Sequence, residues 1–85
     1  MKTNLNDLHA FIAVVQNGNF TKAAAALGTT QSAVSQSIGN LEQNLELKLF
    51  NRTTRSVTLT EAGEKLFDYV GPQLEDIALG LERLS

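Results

Sequence analysis

The chain lacks cysteine altogether, and it contains one histidine and one proline among its 85 residues. Without cysteine there is no disulfide framework, no thiolate metal site and no cysteine nucleophile. The single histidine, His9, has no cluster of Asp, Glu or Cys around it in the sequence, which argues against a metal-binding or catalytic role. We therefore expect His9 to be an exposed helix residue, and we predict no cofactor and no bound metal.

Long hydrophobic runs are also missing. Residues 1–11 lack the basic stretch and long apolar run of a signal peptide, and no later run approaches the length of a membrane span. These absences predict a cytoplasmic protein with no membrane partner. The hydrophobic share of 42% over 85 residues predicts one globular domain with a modest core, for which dimerisation would supply further burial.

An excess of positive charge is missing as well, since the net charge is −2. This balance argues mildly against a nucleic-acid partner, because neutralisation of phosphates supplies much of the affinity of such proteins. The distribution is uneven, however. Residues 1–59 contain five basic and three acidic residues, a net charge of +2, whereas residues 60–85 contain two basic and six acidic residues, a net charge of −4. The acidic segment can face away from a polyanion.

Apolar periodicity predicts three short helices in the first half of the chain. The first begins after a cap at Asn4 and ends near Gly18, and the second begins at a predicted cap, Thr21, and ends at Gly28. The third begins after a cap at Thr30. Its core-facing side chains, at spacings of four, three and four, are Val34, Ile38, Leu41 and Leu45.

The opposite face of the third helix is polar and has no acidic residue before Glu42, which is unusual for a solvated helix. Its residues are Gln31, Ser32, Ser35, Gln36, Gly39 and Asn40. Amides and hydroxyls can hydrogen-bond the edges of bases. A short helix, the turn at residues 28–30 and a helix with such a face form the arrangement that places a helix in the major groove of DNA.

Residues 51–60 differ in composition, with β-branched residues flanking a basic, polar tip, which predicts a two-stranded hairpin, or wing. Arg52 and Arg55 of this hairpin are expected to hold phosphates or to enter a narrow minor groove. From Thr60 onward the periodicity predicts an amphipathic helix of about 36 Å, which is too long for the small core to cover. Pro72 is expected to kink or split this helix.

The apolar stripe of the last helix predicts a dimer interface, since the stripe would otherwise face water. The alternative is that it packs against a later domain of a longer chain. The predicted interface residues are Leu66, Tyr69, Val70, Leu74, Ile77, Leu81 and Leu84.

Enzymatic chemistry has no support in the sequence. Glu61, Glu64 and Asp68 are typical of a solvated face at a helix N-terminus rather than of an acid–base set. No nucleophile–base pair or phosphate-binding glycine loop is found, and no catalytic residue is predicted. The remaining alternative is a protein-interaction module, which the acidic last helix would suit. A scaffold, however, has no need to keep carboxylates off one face of the third helix.

Over almost its whole length the chain resembles the signature of LysR-type transcriptional regulators. The matching residues are Phe20-Thr21-Lys22-Ala23-Ala24, Leu27, the run from Gln31 to Ile38, Leu41-Glu42, Leu45, Leu49-Phe50, Arg52 and Leu59-Thr60-Glu61-Ala62-Gly63. The resemblance implies a mainly α-helical fold, in which residues 1–59 form a three-helix winged helix-turn-helix domain with a small two-stranded wing. Residues 60–85 would form a long linker helix that pairs antiparallel with that of a second subunit.

The resemblance also implies that the dimer binds an interrupted palindrome in double-stranded DNA upstream of a regulated gene. The third helix would enter the major groove, and the wing would contact the flanking backbone or the minor groove. The positions that match the family's DNA contacts are Thr21, Thr30, Gln31, Ser32, Ala33, Ser35, Gln36, Arg52 and Arg55. Ala33 would contact a thymine methyl group. Family members also carry a larger domain that senses a small molecule, so an effector is implied only through that domain, and we expect this chain to be an isolated DNA-binding domain.

Three departures from the family pattern modify these expectations. Glu46 stands where glycine is usual after the third helix, so a different turn into the wing is expected. Thr29 replaces an aliphatic residue that would pack against Val34. Gly39 and Asn40 lack the basic side chains often found there, which predicts weaker phosphate anchoring by this helix.

Overall fold

The computed structural model describes residues 4–52 and 57–84. In these ranges the chain forms α1 (Leu5–Asn17), α2 (Phe20–Leu27), α3 (Gln31–Leu45), β1 (Phe50–Arg52), β2 (Val57–Leu59) and α4 (Glu61–Leu84). This order confirms the predicted three-helix winged architecture with a long C-terminal helix. None of the helices in the described ranges combines the length and the apolar composition needed to cross a membrane.

The caps predicted for α1 and α3 are confirmed. The Asn4 side chain accepts a hydrogen bond from the Asn6 amide at 2.7 Å, and the Thr30 hydroxyl accepts one from the Ala33 amide at 3.0 Å. Each bond satisfies one of the backbone donors that the first turn of a helix leaves without an intrahelical partner. Gly18 ends α1 in the left-handed conformation, where glycine avoids a steric cost.

The prediction that Thr21 caps α2 is wrong. The helix begins at Phe20, and the side chain of Asn19 accepts a hydrogen bond from the Lys22 amide at 2.7 Å. Both Asn and Thr are good caps and they lie two residues apart, so the local sequence does not choose between them. The earlier start places Phe20 within the helix and buries its ring. The Thr21 hydroxyl is consequently available for another partner.

The core lies where α1, α2 and α3 meet the start of the wing. Phe11 of α1 is fully buried, and its ring centre lies 5.4 Å from that of Phe50 in β1. The ring centre of Phe20 lies 5.9 Å from that of Phe50. The predicted stripe of α3 is confirmed, since burial is complete or nearly so at Val34, Ile38 and Leu41 and partial at Leu45. Burial contributes about 1.5–3 kcal/mol for each large side chain, and it fixes which face of α3 remains accessible.

The predicted wing is confirmed as an antiparallel pair in which Phe50 lies opposite Leu59 and Arg52 opposite Val57. Its tip, which includes Arg55, lies outside the described residues. Helix α4 continues through Pro72 from its first to its last residue, so the helix is not split there.

The junction between the wing and α4 is closely packed. The Thr60 hydroxyl donates to the Lys48 carbonyl at 2.6 Å and accepts from the Gly63 amide at 3.0 Å. The Thr60 amide donates to the Leu49 carbonyl at 3.0 Å. A β-carbon on Gly63 would overlap that same carbonyl oxygen, so glycine is required for the backbone to pass this close to the helix. The direction of α4 is thereby fixed relative to the wing.

The turn after α3 retains the shape that glycine usually provides. Glu46 adopts the left-handed conformation with φ 57°. Its amide donates to the Gln43 carbonyl at 3.2 Å, and the Leu47 amide donates to the Glu42 carbonyl at 3.1 Å, which is the Schellman pattern. The expected different turn is therefore absent. Glu46 instead adopts the left-handed conformation, in which a β-carbon is sterically unfavourable.

Candidate nucleic-acid interface

The accessible face of α3 is the centre of the candidate interface. Helix α3 has 15 residues, which corresponds to a length of about 22 Å. Of the residues predicted to contact DNA, Gln31, Ser32 and Gln36 are exposed, and Ala33 and Ser35 are partly exposed. The sequence contains no acidic residue between Asp7 and Glu42, so no carboxylate of α2 or of the first part of α3 opposes a polyanion.

Thr21 of α2 joins this face at its N-terminal end. Because Asn19 caps α2, the Thr21 hydroxyl is free to donate to Oε1 of Gln31, at 3.3 Å. This bond links the first turn of α2 to the first residue of α3, across the helix-turn-helix turn. Thr30 immediately precedes Gln31, and its hydroxyl oxygen already accepts from the Ala33 amide. The structure thus brings together the predicted contact residues of α2 and α3.

Arg52 brings the wing to the same face. Its Nη1 donates to Oγ of Ser35 at 3.3 Å, and its Cζ lies 4.6 Å from the centre of the Phe20 ring. Cation–π contacts of exposed side chains contribute about 0.5–1 kcal/mol, enough to favour one position of the guanidinium. The side chain of Arg52, at the end of β1, therefore contacts both α2 and α3, and its positive charge lies beside the hydroxyl of Ser35. Arg55, the other predicted wing contact, lies outside the described residues.

Glu42 is a positioning residue that the sequence analysis missed. Its side chain is buried, and Oε2 accepts from the Leu49 amide at 2.7 Å and from the Phe50 amide at 3.4 Å. It therefore holds the start of β1, two residues before Arg52, against α3. The available signal was its position four residues after Ile38, on the core-facing stripe, where a carboxylate has to be hydrogen-bonded.

The seven residues predicted to form a dimer interface divide into two groups. Those partly buried against the core of their own chain are Leu66, Val70 and Leu74. Those that are 60–87% exposed are Tyr69, Ile77, Leu81 and Leu84. Helix α4 thus uses one edge of its apolar stripe to pack on the domain, and it leaves the other edge accessible along its length.

Metal binding and acid–base chemistry find no support in the parts of the chain that the structure describes. Within residues 4–52 and 57–84 there is no group of three or more His, Cys, Asp or Glu that could hold a metal ion. His9 is exposed on α1, as predicted. Glu61, Glu64 and Asp68 are exposed on α4, which confirms the prediction that they form a solvated face.

Comparison with known proteins identifies relatives of the chain. Residues 5–64 match the family model described as "Bacterial regulatory helix-turn-helix protein, lysR family". The HTH-type transcriptional regulator PgrR of Escherichia coli is 46% identical over 84 residues, which cover 99% of this chain and 28% of that protein. The chain spans 28% of the length of the first curated relatives that it matches.

Solved structures of regulators are similar to the chain in both fold and sequence. The full-length Vibrio cholerae virulence activator AphB, a member of the LTTR protein family, has a TM-score of 0.91 and 37% identity, covering 95% of this chain and 28% of that chain. The BenM DNA-binding domain in complex with catB site 1 DNA has a TM-score of 0.84 and 33% identity, covering 95% of this chain and 91% of that chain. Since the family model matches most of its residues, the chain belongs to the lysR family of bacterial regulatory helix-turn-helix proteins.

Proposed function

We propose that the chain binds double-stranded DNA sequence-specifically as a homodimer, as the DNA-binding part of a transcriptional regulator in the cytoplasm. The observation that carries this proposal is the surface formed by Thr21, Arg52 and residues 31–40 of α3, which is polar and accessible and contains no carboxylate among these residues. The likeness to the BenM domain bound to DNA supports it. In this proposal residues 1–59 bind the duplex and residues 60–85 pair the subunits.

The proposed contacts divide by chemistry. Amides and hydroxyls of α3 hydrogen-bond base edges in the major groove, while the Ala33 methyl group packs on a thymine methyl. Arg52 and Arg55 contact the flanking backbone or the minor groove, where positive charge is favoured whatever the base sequence. The proposed DNA contacts with amide or hydroxyl groups are Thr21, Thr30, Gln31, Ser32, Ser35 and Gln36.

The proposed dimer uses the exposed edge of α4. Tyr69 and Ile77, which are 70% and 60% exposed, lie two helical turns apart and would both be covered by an antiparallel α4 of a second subunit. Large apolar side chains each contribute about 1.5–3 kcal/mol when fully buried, which favours pairing over solvent exposure. Two subunits would then bind half-sites about one helical turn of DNA apart. A small-molecule effector would act only through a domain outside these residues.

The first test is selection of bound duplexes from a random-sequence pool at low salt, followed by sequencing. The proposal predicts a two-fold-related motif with half-sites about one helical turn apart. Affinity should also fall steeply as salt rises, because bound phosphates release their counterions. A retained pool without any motif, together with affinity that is insensitive to salt, would contradict the proposal and favour a protein-interaction module.

Two variants separate the reading helix from the wing. Gln36→Ala is expected to lose about 1–3 kcal/mol of binding free energy at the selected site and to change the sequence preference. Arg55→Ala is expected to weaken binding to all sequences alike, because a phosphate contact carries no base information. Uniform losses in both variants would show that α3 is not the reading element.

A further inference from the structure

Two of the side chains proposed to read bases already make a hydrogen bond within the protein. Gln31 accepts from the Thr21 hydroxyl through Oε1, and Ser35 accepts from Arg52 Nη1 through Oγ, each at 3.3 Å. Gln31 and Ser35 are four residues apart on α3, so they lie on the same face, separated by about 6 Å along the helix axis. In both cases a side chain from a neighbouring element already donates to an acceptor atom of the residue that is proposed to contact a base.

The bond from Thr21 determines which end of the Gln31 amide is available to DNA. A glutamine that recognises adenine presents its oxygen and its nitrogen together, to N6 and N7 of the base. Here the oxygen is turned towards α2, so the amide presents its two N–H donors on the opposite side. Gln31 is therefore suited to an acceptor on the base edge and unsuited to the paired donor and acceptor of adenine.

The bond from Arg52 has the same consequence for Ser35. A serine hydroxyl carries one donor and two acceptor sites, and the guanidinium engages one of the acceptor sites. The nearby positive charge disfavours the approach of a second donor, so the hydroxyl hydrogen is directed outward. Ser35 thus also presents a donor to the base edge.

We infer that Gln31 and Ser35 select keto bases, guanine or thymine, over amino bases on the strand that they contact. Guanine offers N7 and O6 as acceptors in the major groove and thymine offers O4, whereas cytosine offers a donor and adenine a donor beside its acceptor. Thr21 and Arg52 then act as positioning residues for base specificity. This inference rests on the proposed function, since it names the bases that the same surface reads.

The test measures binding to duplexes in which each half-site position is varied over all four base pairs. Gln31→Ala and Ser35→Ala first identify the positions that each side chain reads. The intact chain should prefer keto over amino bases at both positions by about fivefold or more, the lower end of what one good side-chain contact discriminates. Thr21→Val keeps the shape of the side chain but removes the donor. In this variant, the affinity for duplexes with adenine at the position that Gln31 reads should rise relative to the affinity for guanine and thymine there. Thr21→Ser, which restores the hydroxyl, should restore the keto preference.

The Arg52 bond is tested with a matched pair of charge-removing variants. Arg52→Met should raise tolerance of amino bases at the Ser35 position, whereas Lys48→Met, at an exposed neighbouring lysine, should lower affinity without changing the base preference. Thermal unfolding shows whether each variant is folded, and Thr21→Ala replaces Thr21→Val if the latter is not. A selected motif with amino bases at these positions, or base preferences unaffected by Thr21→Val and Arg52→Met, would overturn this inference alone. Absence of any motif with the intact chain would overturn the proposed function as well.

Discussion

Removal of the Glu42 carboxylate should destabilise the domain through the wing. The Leu49 amide, which belongs to a fully buried residue, loses its acceptor in Glu42→Ala, and the longer bond from Phe50 is lost with it. An unsatisfied buried donor costs about 1–3 kcal/mol, so with the weaker second bond the loss should be about 3 kcal/mol. Glu42→Gln keeps an acceptor but exchanges a charged hydrogen bond for a neutral one, which should cost about 1 kcal/mol.

Thermal unfolding followed by circular dichroism measures these losses. For a domain of this size, 1 kcal/mol corresponds to a shift of about 4–8 °C in Tm, so Glu42→Gln should shift Tm by about that amount and Glu42→Ala by about three times as much. Hydrogen exchange of the Leu49 amide should accelerate in the alanine variant. Gln43→Ala, at the exposed neighbouring position, is the control and should change stability by less than about 0.5 kcal/mol. A Glu42→Ala variant that melts with the wild-type chain would refute the assigned role of the carboxylate.

Three further predictions concern stability and assembly. Gly63→Ala should lower the free energy of unfolding, measured in urea, by about 3 kcal/mol, because its β-carbon would overlap the backbone oxygen of Leu49. This value is the upper end of what overpacking costs, and an unchanged unfolding midpoint would contradict the packing at this junction. Glu46→Gly should be about 1 kcal/mol more stable than Glu46→Ala, since only glycine adopts φ 57° without strain, and equal stabilities would argue against the left-handed turn. Ile77→Asp should weaken dimerisation in analytical ultracentrifugation, whereas Asn44→Asp, exposed on α3, should not; equal dimerisation in both variants would exclude the exposed edge of α4 as the interface.

The parts of the fold that depend on periodicity were predictable from the sequence. The stripe of α3 depends on a repeat of apolar residues from Val34 to Leu45, and burial at Val34 and Ile38 follows it. The start of α2 was predicted wrongly because Asn19 and Thr21 are both good caps, and the choice depends on where the Phe20 ring packs. Local helix-capping preferences do not depend on the packing of the Phe20 ring, so they cannot predict this choice.

The sequence predicts which residues belong to the candidate site, but it does not predict the hydrogen bonds between them. Residues of α3 could be assigned to one face from the helical repeat alone. The hydrogen bond from Arg52 to Ser35 joins residues 17 apart, and it depends on how the wing folds back on the helix. Likewise, an amphipathic stripe on α4 predicts burial but does not divide its members between the core of the chain and a partner. Leu74 packs on the core, and Ile77, three residues later, is exposed.

The close packing of Gly63 against Leu49 sets the angle at which α4 leaves the wing. The helix is about 36 Å long, and Leu66, Val70 and Leu74 also pack on the core, so it is held along about half of its length and not only at its start. The helix and the DNA-binding surface therefore move as one body. In the proposed dimer, the angle at the glycine contact would set the distance between the two DNA-binding surfaces and keep that distance constant.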